Sequence, residues 1–141
     1  MSSAPQIRYP DYYGIDMPRL EEFCVFRATI ELIRERGMND LLQRVYEACK
    51  LELLKPKDMM RNCVRDIYKP FSTEEINQKV AEMLRPEGLK TPVELVFQSI
   101  DGLHEAIPNH HGDWYFTGKY PTPGGTKLCN QAFVNYIDRQ K

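Results

Sequence analysis

Four cysteines are the first residues of this chain with the chemistry for catalysis, metal binding or cross-linking. They stand far apart, and no two of them form a C-x-x-C pair: Cys24, Cys49, Cys63 and Cys129. The first three lie inside apolar patterns of helical spacing, where a thiol behaves as a small hydrophobic side chain. We therefore predict reduced, structural thiols and no metal or redox role for them.

A second group with metal-binding chemistry is the pair His110 and His111, followed by Asp113. Adjacent histidines point in divergent directions on most backbones, and no third strong ligand is spaced nearby. These residues are predicted to lie in a solvated loop, and no metal site is expected. His104 falls on a short predicted helix, as a surface or capping residue rather than a base.

The remaining clusters have ordinary structural explanations. Glu74 and Glu75 suit the first turn of a helix, where carboxylates interact favourably with the helix dipole. Tyr9, Tyr12 and Tyr13 form an aromatic cluster, but basic residues do not surround it as they do in a nucleic-acid platform.

Composition also restricts the class of protein. The 141 residues include 19 basic and 20 acidic side chains, for a net charge of −1. That balance gives no electrostatic footprint for nucleic acid or an anionic membrane. No run approaches the ~18 apolar residues of a membrane span, and residues 1–6 lack the features of a secretory signal. We expect one domain in a cytoplasmic protein.

Helical periodicity dominates the elements that would position these residues. Helices are predicted over Pro18–Arg36, Asp40–Leu54, Asp58–Tyr68, from a capping box at Ser72 and Glu75 to about Leu84, from Ser99 to Ile107, and over 126–139. Val93–Gln98 is the best strand candidate, and 114–116 is a weaker one. The predicted fold class is α+β, mostly helical with one or two short strands. A lone strand needs a partner for its backbone groups, which suggests a missing portion.

Three segments of the sequence carry a more specific signal. Residues 2–18, S-S-A-P-Q-I-R-Y-P-D-Y-Y-G-I-D-M-P, resemble the S-A-A-P-x-I-R-F-P-x-x-Y-G-I-D-M-P segment of amidophosphoribosyltransferases. Residues 94–98, E-L-V-F-Q, with Asp101, Leu103, Ala106 and Ile107, are similar to that family's L-I-F-Q strand and the short helix after it. Residues 116–122, F-T-G-K-Y-P-T, are similar to its F-T-G-x-Y-P-T motif. All three occur in the family's order.

The resemblance implies that residues 1–141 are the C-terminal segment of a phosphoribosyltransferase α/β domain, with a helical insertion over about 28–70. The parent enzyme converts glutamine and phosphoribosyl pyrophosphate to 5-phosphoribosylamine, the first committed step of de novo purine synthesis. It implies Mg²⁺ for the parent enzyme, and as partners the N-terminal glutaminase and the rest of the phosphoribosyltransferase half, in a homo-oligomer.

Both catalytic centres of that family are expected to lie upstream of these residues. Residue 2 is Ser2, where the family's glutaminase uses an N-terminal cysteine nucleophile. The acidic pair and small-residue loop that hold the phosphoribosyl pyrophosphate do not occur in this sequence either. We therefore expect the segment alone to be inactive, and Met1 corresponds to a position inside the strand that leads to S-A-A-P.

Two further expectations follow from the resemblance. Asp11, Gly112 and Tyr115 stand where some family members have the cysteines of an iron–sulfur cluster, so no cluster is expected. Tyr13, Asp16, Pro18 and Tyr120 match residues near the junction of the two catalytic halves and are candidates for the ammonia path. The alternative is structural: Asp16 caps the helix that begins at Pro18, and the tyrosines pack.

A different class of function also fits the sequence. A stand-alone helical binding or regulatory module would have the same composition and the same helical pattern.

Overall fold

A computed structural model describes residues 4–10 and 19–141. The described part is mostly helical. Six α-helices are α1 (Cys24–Glu35), α2 (Asn39–Leu53), α3 (Thr73–Leu84), α4 (Ile100–Ala106), α5 (Trp114–Thr117) and α6 (Pro123–Asp138). Short 3-10 helices cover Leu20–Glu22, Lys57–Met59 and Cys63–Ile67.

The core lies between two pairs of helices. α1 packs along α3, and α2 packs along α6. At the centre the Phe26 ring meets Phe133 edge to face at 6.2 Å and Tyr136 at 4.9 Å. Phe26 and Phe133 are fully buried. Because edge-to-face aromatic pairs add to the free energy of burial, they hold α1 on α6.

Local signals end or begin several helices where the sequence predicts. Gly37 follows α1 with a φ of 65°, the left-handed conformation typical of a residue just after a helix. Ser72 and Glu75 form the predicted capping box: the Glu75 N–H donates to the Ser72 hydroxyl at 3.1 Å, and the Ser72 N–H donates to the Glu75 carboxylate at 2.7 Å. Ser99 caps α4, where its hydroxyl accepts from Gly102 N–H.

The predicted strands are wrong for the described part of the chain, which contains no strand. Val93–Gln98 is extended, but its only backbone bond to another described segment is from Gln98 N–H to the Ala4 carbonyl, at 3.2 Å. One such bond does not make a ladder. The weaker candidate, 114–116, lies in α5, where Thr117 N–H closes a helical turn on the Asp113 carbonyl at 2.8 Å.

The predicted helix over Asp58–Tyr68 is also wrong. Met60 is extended, and 3-10 helices lie on either side of it. Asn130 explains the break, because its side-chain oxygen accepts from Cys63 N–H at 3.0 Å. An N–H has a single hydrogen to donate, and a continuous helix would need this one for its own ladder.

The terminal helix starts three residues earlier than predicted. Pro123 occupies the first position of α6, where its fixed φ suits a helix and its missing N–H costs nothing.

None of the described helices combines the length and the apolar character required to cross a membrane.

Candidate functional site

The segment Ala4–Pro10 is the meeting point of the three sequence motifs. The Ala4 carbonyl accepts from Gln98 N–H at 3.2 Å, which joins the first motif to the second. The Tyr115 carbonyl, next to the third motif, accepts from Arg8 N–H at 3.0 Å and Tyr9 N–H at 3.2 Å. We use the name motif junction for Ala4–Pro10 and the residues that contact it, which are Asn62, Tyr68, Gln98, Tyr115, Gly118 and Tyr120.

Tyr120 closes the junction from the other side. Its hydroxyl donates to the Pro10 carbonyl. Its ring lies over Gly125 in α6, where an added Cβ would come 2.0 Å from a ring carbon. The helix therefore needs glycine at this point for Tyr120 to reach Pro10.

Gly118 makes a second close approach. It has a φ of 71°, which favours glycine, and a Cβ there would lie 2.8 Å from the Tyr9 ring and 2.9 Å from Asn62. The Gly118 carbonyl accepts from the Asn62 side chain at 3.0 Å. The glycine of F-T-G-K-Y-P-T is thus required by packing against the first motif.

Two buried tyrosines fill the centre of the junction. The Tyr9 and Tyr68 rings meet edge to face at 5.4 Å, and the Tyr68 hydroxyl donates to the Arg8 carbonyl at 2.8 Å. Burial raises the pKa of both phenols well above the ordinary value. They stay neutral at physiological pH, so their contribution is packing and hydrogen bonding.

The start of the segment is tied to α3. The Gln6 side chain is 4% exposed and donates to the Thr73 carbonyl at 3.0 Å and to Asn77 at 2.6 Å. Its carbonyl oxygen accepts from the Arg8 guanidinium, at 3.0 Å from Nε and 2.6 Å from one Nη. All the polar groups of this buried side chain are therefore satisfied.

An open groove of about 530 Å³ runs between α3 and the extended segment 93–99. Leu95 and Phe97 pack against the core, whereas the Val96 side chain is 82% exposed. In the described residues no backbone hydrogen bond from another segment reaches Val93–Phe97. This alternation, with a row of backbone groups left open, is typical of the edge of a sheet.

The predicted site residues fall in different places. Tyr120 lies at the junction, whereas Tyr13, Asp16, Pro18 and Asp11 lie outside the described residues. Tyr115 belongs to α5, and Gly112 lies against the His110 ring. An ammonia path near these residues remains a prediction.

The histidines form an arrangement that spacing did not indicate. His104 Nε2 lies 2.8 Å from one Asp113 oxygen, and His110 Nε2 lies 3.2 Å from the other. One carboxylate thus connects α4 to the start of α5. Across residues 4–10 and 19–141, no group of three or more His, Cys, Asp or Glu is arranged to hold a metal ion.

Sequence reasoning missed three residues that position this site: Asn62, Tyr68 and Asn130. Asn62 precedes a short apolar run, and its side chain caps the 3-10 helix by accepting from Val64 N–H at 3.2 Å. That capping signal was available in the sequence. The partners of Tyr68 and Asn130 are more than 50 residues away along the chain.

No protein-family model matches the chain, and comparison with curated proteins and with solved structures finds no match either.

Proposed function

We propose that this chain is the C-terminal part of an amidophosphoribosyltransferase. The parent enzyme would form 5-phosphoribosylamine, glutamate and pyrophosphate from glutamine, phosphoribosyl pyrophosphate and water. The observation that carries the proposal is the convergence of the three motifs on Ala4–Pro10. The hydrogen bonds that join the first motif to the other two regions span from 94 residues of chain, between Ala4 and Gln98, to 110, between Pro10 and Tyr120.

The open edge at Val93–Phe97 supports the same proposal. After Ala4, the first motif turns toward α3 and Tyr115, so it does not pair along the edge. A strand from the rest of the phosphoribosyltransferase half would satisfy these backbone groups and cover Val96. A segment that covers this edge has to pair with its backbone groups, because an unsatisfied backbone amide is costly in an interior.

The chemistry present at the junction is consistent with a positioning role. Burial keeps Tyr9 and Tyr68 neutral, and the side chains of Asn62 and Tyr68 donate to backbone carbonyls. We therefore assign catalysis to the other portions of the parent enzyme. The proposed role of the motif junction is to hold those portions in position.

The experiment compares the chain alone with the chain supplied together with the remainder of the enzyme. The remainder is the product of the reading frame that continues upstream of Met1, co-expressed as a separate polypeptide. Glutamate release and phosphoribosyl-pyrophosphate-dependent pyrophosphate release are both measured. We expect neither reaction from the chain alone and both from the pair. Turnover by the chain alone, free of host enzyme, contradicts the proposal, as does a stop codon that separates Met1 from any such frame.

A matched pair of variants tests the proposed edge. Val96→Asp places a charge on a side chain that is exposed here and buried in the proposed assembly, whereas Val96→Thr keeps the β-branched shape. We expect both variants to melt like the unmodified chain, since surface changes cost within about 0.5 kcal/mol. Only Val96→Asp should weaken assembly, by at least about tenfold. Equal assembly by both variants contradicts the edge proposal.

A stand-alone helical binding or regulatory module is the second candidate. The observation that favours it is the core between α1, α2, α3 and α6, which this chain supplies by itself. It predicts one cooperative thermal transition for the isolated chain and no association with a phosphoribosyltransferase half. The assembly measurement above therefore separates the two functions.

A further inference from the structure

Two buried cysteines from different elements bond to one side chain of α6, Cys49 through its thiol and Cys63 through its backbone N–H. Cys49 lies in α2, and Cys63 begins the 3-10 helix Cys63–Ile67. The Asn130 side-chain oxygen accepts from Cys63 N–H at 3.0 Å and lies 3.5 Å from the Cys49 sulfur. Both thiols are almost completely buried, at 0% and 1% exposure. A shared acceptor thus holds the two cysteines beside each other.

The electrostatics give the two thiols different roles. Interaction with the neighbouring Cys49 thiol lowers the pKa of Cys63, burial opposes that shift, and the nearby Arg61 guanidinium adds to it. The same interaction between the thiols, together with burial, raises the pKa of Cys49. Cys63 is therefore the thiol with more thiolate character, and Cys49 is the neutral partner next to it.

A short segment without α-helix joins the two elements that carry the cysteines. Residues 54–62 connect α2 to the 3-10 helix, and Leu54 and Met59 in this segment are 84% and 67% exposed. The segment is held by Glu52, whose carboxylate accepts from Arg61 N–H at 2.8 Å and from Lys55 at 2.7 Å. Segments with few buried contacts open locally far more often than the whole domain unfolds. Such opening admits a small oxidant.

We propose that Cys49 and Cys63 form a modification site at which a hydroperoxide converts the dithiol to an intramolecular disulfide. The Cys63 thiolate attacks one peroxide oxygen, the O–O bond breaks, and Cys63 sulfenic acid forms with release of water or alcohol. The Cys49 thiol then attacks the Cys63 sulfur, an S–S bond forms, and water leaves with the Cys49 proton. Two thiols are oxidised and one peroxide is reduced.

A disulfide between Cys49 and Cys63 would also affect the motif junction. The cross-link would fix the 3-10 helix Cys63–Ile67 to α2. Asn62 and Tyr68 flank that helix and bond to Gly118 and to the Arg8 carbonyl. Oxidation therefore stabilises the junction in its present arrangement. This stabilisation does not depend on the proposed enzyme family and would affect any function that the junction has.

The experiment treats the full chain carrying Cys24→Ser with hydrogen peroxide, because Cys24 is exposed and would react on its own. Tryptic digestion without reductant should give residues 45–50 linked to residues 62–65. We expect loss of two of the three remaining thiols, a melting temperature raised by roughly 5–10 °C, and reversal by dithiothreitol. Cys129→Ser, the buried control, should form the same cross-link.

Further measurements test whether Cys63 reacts before Cys49 and whether the folded structure, rather than exposure of the thiols alone, directs the cross-link. Cys49→Ser should accumulate a dimedone-reactive sulfenic acid at residue 63, and Cys63→Ser should accumulate none at residue 49. In guanidinium the linked peptides should form at least about tenfold more slowly, because unfolding removes the alignment by Asn130. Absence of the linked peptides from oxidised folded protein overturns the proposal. Formation of the linked peptides at the same rate in guanidinium also overturns it. Neither of these two measurements requires a substitution at residue 49 or 63.

Discussion

Replacing Asn130 by alanine is expected to destabilise the fold more than any other single polar change in α6. The Asn130 side chain is fully buried and bonds to two backbone groups in the segment 61–63. It accepts from Cys63 N–H at 3.0 Å and donates to the Arg61 carbonyl at 2.9 Å. Alanine would leave both groups inside the protein without a partner.

The magnitude follows from those two groups. Each buried backbone group left unsatisfied costs about 1–3 kcal/mol. The loss for Asn130→Ala is therefore about 2–6 kcal/mol of the free energy of unfolding, before any cavity cost. A domain of this size has roughly 5–15 kcal/mol in total, so the variant should lose a large part of its stability.

Urea unfolding, followed by circular dichroism, measures this effect against a matched control. Asn135→Ala makes the same replacement in the same helix, where the exposed Asn135 side chain accepts from the Gln131 side chain at 2.9 Å. Because alanine improves helix propensity equally at both sites, the difference between variants isolates the buried bonds. A difference in unfolding free energy below about 1 kcal/mol would falsify the assignment of Asn130 as the residue that holds this segment.

Three other outcomes can be checked by the same unfolding measurements. Gly118→Ala should lower the free energy of unfolding by about 1–3 kcal/mol more than Gly88→Ala. Both glycines have positive φ, but an added Cβ meets the Tyr9 ring only at Gly118. Equal losses in the two variants would contradict the packing argument. Ser72→Ala should cost about 1 kcal/mol by removing the capping box, and no measurable loss would show that α3 does not depend on it. Burial opposes ionisation of Glu52, but hydrogen bonds from Lys55 and from a backbone N–H outweigh it and hold the pKa below the ordinary 4.5. The ionised carboxylate therefore stabilises the fold fully above the ordinary pKa of 4.5, and its contribution is lost as pH falls below that value through the lower pKa of the folded state. Glu52→Gln should therefore lose less stability than the unmodified chain between about pH 5 and pH 3, and parallel pH profiles would refute the assignment.

Most helices could be predicted from the sequence because their signals are local. Apolar spacing predicts both ends of α2 and the end of α1 to within one residue. The start of the helix predicted over Pro18–Arg36 is wrong, because the extended Phe23 separates α1, which begins at Cys24, from the 3-10 helix Leu20–Glu22. The capping box at Ser72 and Glu75 is a contact between residues three positions apart. A mostly helical fold follows from such short-range rules.

The candidate site could be predicted only in part. The motifs identified Tyr120 as a candidate residue and contain Gly118, but they do not indicate what either residue touches. Tyr120 reaches Pro10 across 110 residues of chain, and Gly118 meets Tyr9. Sequence spacing contains no information about such distances.

What the sequence by itself determined is therefore most of the helices, several caps and the motifs that resemble one family. Only the tertiary structure decided that those motifs meet on Ala4–Pro10, that Val93–Gln98 forms no ladder, that 114–116 is helical and that 58–68 is not one helix. The physical reason is the range of the interactions. A helix cap is satisfied within one turn, whereas the bond to Asn130 that takes the Cys63 N–H away from a helical ladder spans 67 residues. A strand likewise exists only where another segment supplies its hydrogen bonds.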